Sequence, residues 1–229
     1  MDRKLTAKDL SCGYSDKKGA VKEILRGVSF ELESGDILAV TGDNGSGKST
    51  LLRCLSGAAA PLSGERELTG DGIPRISFVA QLSASPLPLS CLDAVVLGRA
   101  PFLGKLSSPT QKDRDLALSA LERMGIKDLA GTACDRISGG EYRLVCIARA
   151  LVSEPDLVVL DEPEASLDSK NRRRLCECLK ELAAEGRIIV YSTHFAVNAA
   201  RTASKVLHIE KGAALLIPPE RAQEFAGDY

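Results

Sequence analysis

The chain reads as an α/β protein: a largely parallel sheet covered by helices on both faces, an antiparallel β layer ahead of it, and a helical segment inserted within it. Three features predict this. Leu157-Val158-Val159-Leu160 and Ile188-Ile189-Val190-Tyr191 are continuous apolar runs, the pattern of strands buried on both faces. Between Arg143 and Ser153, Leu144, Ile147, Ala148 and Leu151 recur at i, i+3, i+4 and i+7 until Pro155 stops the pattern, so a helix separates strands. Val28-Ser29-Phe30-Glu31-Leu32-Glu33 alternates apolar with polar or charged residues, which marks a half-buried, antiparallel strand.

In order along the chain, the N-terminal third is expected to be β. The apolar strand Ile37-Leu38-Ala39-Val40 leads into a glycine-rich run and then into the helix-like Ser49-Thr50-Leu51-Leu52. Ile76-Ser77-Phe78-Val79 is a further sheet member. From about Ser83 to Arg136 no buried strand is expected. Cys91 to Arg99 reads as a short helix, Pro101 to Thr110 as a loop, and Gln111 to Met124 as a helix. The last carries Leu116, Ala117, Ala120, Leu121 and Met124 on one face and ends at Gly125. The expected organisation is one domain over residues 1–229, with a helical insert at 83–136 and the β layer plus core at 1–82 and 137–229. No internal repeat is visible.

Composition narrows the function classes. A chain of 229 residues buries a sizeable core. Acidic residues number 31 against 30 basic ones, so no net attraction to nucleic acid is expected; Arg172-Arg173-Arg174 reads as a solvated helix face. No apolar run approaches the roughly 20 residues of a bilayer-spanning helix, and no signal peptide follows Met1-Asp2-Arg3-Lys4. A cytosolic protein is expected. The seven cysteines are an odd set without paired metal-ligand spacing, and read as small core or surface residues rather than a disulfide framework.

The most informative run is Gly42-Asp43-Asn44-Gly45-Ser46-Gly47-Lys48-Ser49-Thr50. It fits G-x-x-x-x-G-K-[ST] between a strand and a helix, where backbone N–H groups form a concave nest for phosphate oxygens and the helix adds its positive end. Gly42, Asn44, Gly45, Gly47, Lys48, Ser49 and Thr50 are therefore the candidate triphosphate contacts. Lys48 is expected at the β- and γ-phosphates, and the Ser49 hydroxyl on Mg²⁺. Asp161-Glu162 closes the strand Leu157 to Leu160. Beside a phosphate loop, Asp161 is placed to hold Mg²⁺, usually through water, and Glu162 to orient or deprotonate the attacking water. The plainer alternative is an acidic pair that merely ends a strand. Ser138-Gly139-Gly140-Glu141 opens the long helix. Ser138 and Glu141 have capping-box spacing, yet that box does not require two glycines, which weaken a first turn. They fit if another backbone or a phosphate must approach closely. Two phosphate-binding ends in one chain suggest that two chains share nucleotides.

Taken in order, these motifs resemble the nucleotide-binding subunit of ATP-binding cassette (ABC) transporters over nearly the whole chain, implying a P-loop NTPase (RecA-like) core. The resemblance adds Tyr14 as an aromatic stacked on adenine, Gln81 as the Q-loop residue, Asp168 in the D-loop Ser166-Leu167-Asp168, and the switch His194. It implies ATP and Mg²⁺, with Ser49, Gln81 and Asp161 toward the metal. It also implies a head-to-tail homodimer or paired cassette in which Ser138, Gly139, Gly140 and Glu141 face the partner's ATP and Asp168 crosses the interface. His194 would hold the γ-phosphate and help set the geometry of Glu162. Further implications are contact with integral-membrane permease subunits, an indirect link to a solute-binding protein, and a peripheral place on the cytoplasmic face of the membrane.

Several positions depart from the commonest pattern. Glu141 replaces a glutamine, Glu164 a threonine and Phe195 an aspartate, while Tyr142 and Leu144 replace polar residues. Glu164 is expected to act on the catalytic carboxyl by like-charge repulsion. Val95 to Gly104 and Ser108 to Arg114 resemble the importer branch for iron–siderophore, haem and cobalamin. The alternative is a soluble single-cassette ATPase, such as one serving iron–sulfur cluster assembly.

Overall fold

The computed structural model describes residues 2–15, 19–81, 88–104 and 107–225. In chain order the elements are β1 (Lys4–Ser15), β2 (Val21–Glu33), β3 (Ile37–Gly42), α1 (Lys48–Ser56), β4 (Ser63–Thr69), β5 (Ile76–Val79), α2 (Cys91–Val96), α3 (Gln111–Arg123), α4 (Gly139–Leu151), β6 (Leu157–Leu160), α5 (Ser169–Ala184), β7 (Ile188–Ser192), α6 (Ala196–Thr202), β8 (Lys205–Glu210) and β9 (Ala213–Ile217). Short 3₁₀ turns fill several connections. The expected start of the helical insert, Ser83, lies outside the described residues.

The strands form two sheets, an antiparallel one of order β2-β1-β4 and a six-stranded one of order β5-β6-β7-β3-β8-β9. All neighbours in the larger sheet are parallel except β8 and β9. β6 and β7 are buried at every position, as their unbroken apolar runs predict. Alternate side chains enter two different cores. Ile37, Ala39, Val158, Leu160, Ile189 and Tyr191 pack with residues of α2 to α6. Leu38, Val40, Leu157, Val159, Ile188 and Val190 pack with α1, β1 and β2. In β2, Val28, Phe30 and Leu32 are buried while Ser29, Glu31 and Glu33 are exposed, so the period-two reading holds.

Register decides where the functional loops emerge. Val79 lies opposite Leu160, Leu160 opposite Tyr191, and Val40 opposite Ser192. The carboxyl ends of β5, β6, β7 and β3 therefore reach one edge of the sheet side by side, where open α/β folds place their ligands.

The helical segment departs from expectation in one detail. A 3₁₀ turn covers Leu97–Phe102 and contains Pro101, where a loop was expected to begin. Buried Arg99 pins that turn: its Nε donates to Asp113 Oδ1 at 2.9 Å, its Nη1 donates to Val152 O at 3.0 Å, and its guanidinium lies 4.1 Å over the Phe102 ring. Asp113 also closes a capping box with Thr110 at the start of α3. The run Arg172-Arg173-Arg174 is likewise not wholly solvated. Arg172 and Arg174 are anchored on the carbonyls of Leu167 and Arg123, leaving Arg173 exposed. All seven cysteines are free thiols, and all but Cys176 are buried.

Candidate functional site

The glycine-rich run forms the turn from β3 into α1. Gly42 takes φ 137°, and a Cβ there would stand 2.4 Å from the Ile209 carbonyl of β8; no other residue fits so close to a neighbouring strand. A Cβ at Gly47 would meet Ile24 Cγ2 at 2.7 Å, so β2 packs directly against the loop. Lys48, only 5% exposed, turns back on the loop, its Nζ donating to the carbonyls of Gly42 at 2.7 Å and Asp43 at 2.9 Å. Burial pushes its pKa down, and the charges of Glu162, Asp161 and Asp43 oppose that shift. The ammonium is thus held within the field of the carboxylates that follow β6, the strand beyond β7, by carbonyls that an incoming phosphate can replace.

Asp161 and Glu162 leave β6 next to β7. Ser192 joins them: its hydroxyl donates to Asp161 Oδ1 at 2.7 Å and accepts the Glu162 N–H at 2.8 Å. Glu162 takes φ 47°, a left-handed conformation costly for a residue with a side chain and characteristic of functional turns. Gln81, just beyond β5, donates from Nε2 to Glu162 Oε2 at 3.1 Å. Arg143, buried in α4, donates from Nη1 to Ala80 O at 2.8 Å and from Nη2 to Asp161 O. It ties α4 to the loops carrying Gln81 and Asp161.

Ser192 and Arg143 were not singled out from the sequence. Ser192 lies in a buried run as an ordinary strand-end serine. Arg143 follows Tyr142 at the start of an amphipathic helix, where a cation normally reads as a solvent-facing residue.

At the start of α4, the capping box between Ser138 and Glu141 forms. The Ser138 N–H and hydroxyl both donate to Glu141 Oε2, at 2.8 and 2.7 Å, and the Glu141 N–H donates to Ser138 Oγ at 3.2 Å. The two glycines have different reasons. A Cβ at Gly140 would stand 2.6 Å from the Ser166 carbonyl, whereas one at Gly139 would meet nothing within 4 Å. Gly140 thus admits a neighbouring backbone of the same chain. Gly139 leaves an open face on an exposed helix N-terminus.

The remaining candidates are distributed around this edge. Tyr14 is 52% exposed on β1, paired with Lys22 of β2, the strand whose Ile24 covers Gly47. Asn44, Gly45, Ser49 and Thr50 lie on the phosphate turn and the first turn of α1. Asp168 caps α5, accepting the Asn171 N–H at 2.7 Å. His194 is exposed just past β7, its ring 4.1 Å from that of Phe195. The Glu164 carboxylate is buried against Thr193 and Asn198, with Arg172 and His194 nearby. Burial raises its own pKa.

Comparison with known proteins agrees with the fold. The ABC transporter family model matches residues 25–165. The molybdate import ATP-binding protein MolC of Haemophilus influenzae is 35% identical over 212 residues, spanning 92% of this chain and 81% of that protein. An inward-facing structure of an ABC transporter described as metal-chelate type superposes with a TM-score of 0.82 at 33% identity, covering 96% of this chain and 84% of the other. The dimeric structure of a bacterial ABC transporter cassette gives 0.80 at 26% identity, covering 94% and 98%. The chain belongs to the ABC transporter family, as an ATP-binding subunit whose ATPase activity drives transport.

Proposed function

We infer that this subunit powers import of a metal chelate of the iron–siderophore, haem or cobalamin kind, acting as a homodimer or paired cassette bound to permease subunits on the cytoplasmic face of a membrane. One observation carries the ATPase half of this reading. The phosphate loop, Gln81, Asp161, Glu162, Ser192 and His194 leave four adjacent strands at one sheet edge, while Ser138 and Gly139 stand exposed at the end of a separate helix. One chain thus has a cradle for one ATP and a helix N-terminus for another. The importer half draws support from the likeness to the metal-chelate type transporter and to the molybdate import subunit. Leu97 and Phe102, 48% and 43% exposed, add an apolar surface on the helical segment that a permease helix would cover. No helix among the described residues is long and apolar enough to cross a membrane, so membrane attachment in this reading runs through the permease.

Within the shared site, Lys48 leaves the carbonyls of Gly42 and Asp43 for the β- and γ-phosphates, and the loop N–H groups surround the same oxygens. Tyr14 offers a ring for adenine. Glu162, held by Gln81 and by the Ser192 bond to its N–H, accepts the proton of the attacking water. His194 meets the γ-phosphate, and Asp168 faces the partner cassette. The donor set fits Mg²⁺: hard oxygens from Ser49, Asp161 and the Gln81 amide, with no group of three or more His, Cys, Asp or Glu among the described residues. Mg²⁺ is commonly held by one or two carboxylates plus phosphate and water. When bound it neutralises charge on the phosphates. ATP stabilises the closed dimer, and loss of the γ-phosphate releases it.

Glu162→Gln tests the chemistry: phosphate release should stop while ATP binding persists and a dimer accumulates, and near-normal turnover would refute the assignment. Uptake of radiolabelled ferric siderophore, cobalamin and molybdate in a strain lacking this subunit tests the cargo. Unchanged uptake of all three together with depressed iron–sulfur enzymes would favour the assembly ATPase.

A further inference from the structure

Resting on the reading of His194 as the γ-phosphate switch, we propose that Glu164 and Arg172 are positioning residues that clamp the backbone and one ring face of that histidine. Glu164 is 2% exposed, and a carboxylate so buried is costly unless every acceptor lobe is used. It is used three times. Glu164 accepts from the Thr193 hydroxyl, from Asn198 Nδ2 at 2.5 Å, and from the Cys176 thiol at 3.9 Å. The Thr193 oxygen in turn accepts the Phe195 N–H at 3.0 Å. From one carboxylate, a two-bond chain therefore grips the residues on either side of His194, and a third contact holds the first turn of α6.

Arg172 closes the clamp from α5. Its Nη2 donates to Leu167 O at 3.0 Å, and its guanidinium lies 4.0 Å over the Phe195 ring. The other partner of that ring is the His194 imidazole, with centroids 4.1 Å apart and planes tilted by 39°. The imidazole edge stays exposed while its backbone and one face are fixed. The same parts link three loops: Glu164 lies two residues after the strained Glu162, Thr193 directly precedes His194, and Leu167 adjoins Asp168, the cap of α5. A shift in any one of these loops must displace the others, because the side chains joining them are packed and hydrogen-bonded. Glu164 and Phe195, two of the departures from the common family pattern, thereby become parts of one device.

The test combines kinetics with a spectroscopic signature, using the full chain. Glu164→Ala should lower kcat about 10- to 100-fold, the scale of a roughly 1 Å misplacement, with the KM for ATP changed by less than about twofold. In the His194→Ala background the same substitution should add less than about twofold, because the clamp acts through His194. The chain holds only two histidines, so an imidazole-labelled NMR spectrum carries two signals. Glu164→Ala should shift that of His194 and leave His208, bonded to Thr41, in place. Thr193→Val, nearly isosteric, repeats the test if the alanine variant does not fold. Equal losses in both backgrounds, or an unmoved His194 signal, would overturn the clamp. Normal turnover in His194→Ala alone would instead refute the switch assignment, and the clamp with it.

Discussion

Gly139→Ala separates what α4 does for its own chain from what it does for a partner. In the isolated chain an added methyl at Gly139 meets nothing within 4 Å, and the residue opens α4. Alanine there replaces a poor helix former with the best, worth up to about 1 kcal/mol, or roughly 2–4 °C in melting temperature for a domain of this size. The neighbouring Gly140→Ala gains the same helix term but drives its methyl to 2.6 Å from the Ser166 carbonyl. Overpacking of that kind costs about 1–3 kcal/mol, so the net change is neutral to about 2 kcal/mol destabilising. If the exposed end of α4 receives a nucleotide from another copy, the Gly139 methyl stands in the path of the phosphates. The variant should then melt higher yet dimerise poorly with ATP. Both quantities are measurable in the Glu162→Gln background, by thermal unfolding without nucleotide and by sedimentation velocity with ATP. A variant that melts higher and dimerises like its parent would remove the shared-site geometry. One that melts lower would show that the open face of Gly139 is misread.

Three further outcomes are expected. Lys48→Ala should weaken ATP binding about 10- to 100-fold, since hydrogen bonds to a charged partner contribute about 1.5–3 kcal/mol; calorimetry showing unchanged affinity would contradict its contact with phosphate. Ser192→Ala strips Asp161 of a donor and leaves the Glu162 N–H without its partner. It should lower stability by about 1–3 kcal/mol and reduce kcat more than it raises KM; wild-type kinetics would refute the positioning of Glu162 through β7. Asp113 is held down to about 2 by the Thr110 hydroxyl and N–H and by Arg99, against an ordinary value of 3.8. A depressed carboxyl stabilises the fold above its unfolded pKa and loses that contribution as pH falls through the folded one. Asp113→Asn should therefore melt below wild type at neutral pH, the difference closing between about pH 4 and pH 2; a gap independent of pH would assign the effect to packing instead.

Much of this architecture was legible because its signals are local. The phosphate run announces itself through closely spaced glycines with Lys48, the cap of α4 through Ser138 and Glu141 three residues apart, and the buried strands through unbroken apolar tetrads. Other features were misread or invisible. The 3₁₀ turn through Pro101 looks like loop until Arg99 is seen to bond Asp113 and Val152. The burial of the Glu164 carboxylate beside Thr193 and Asn198 is set by the turn after β6.

The chain alone therefore determined the α/β pattern with its central strands, the phosphate loop, the acidic strand end and the cap of α4, since each depends on residues within a few positions of one another. The tertiary structure decided that Ser192 bridges Asp161 and Glu162, that Arg143 spans two loops, that Gly140 admits Ser166, and that Glu164 holds the residues flanking His194. Those contacts join positions 18 to 63 residues apart in the cases of Arg143, Ser192 and Glu164. They exist only because parallel register brings the ends of β5, β6 and β7 to one edge, a consequence of packing that no local spacing encodes.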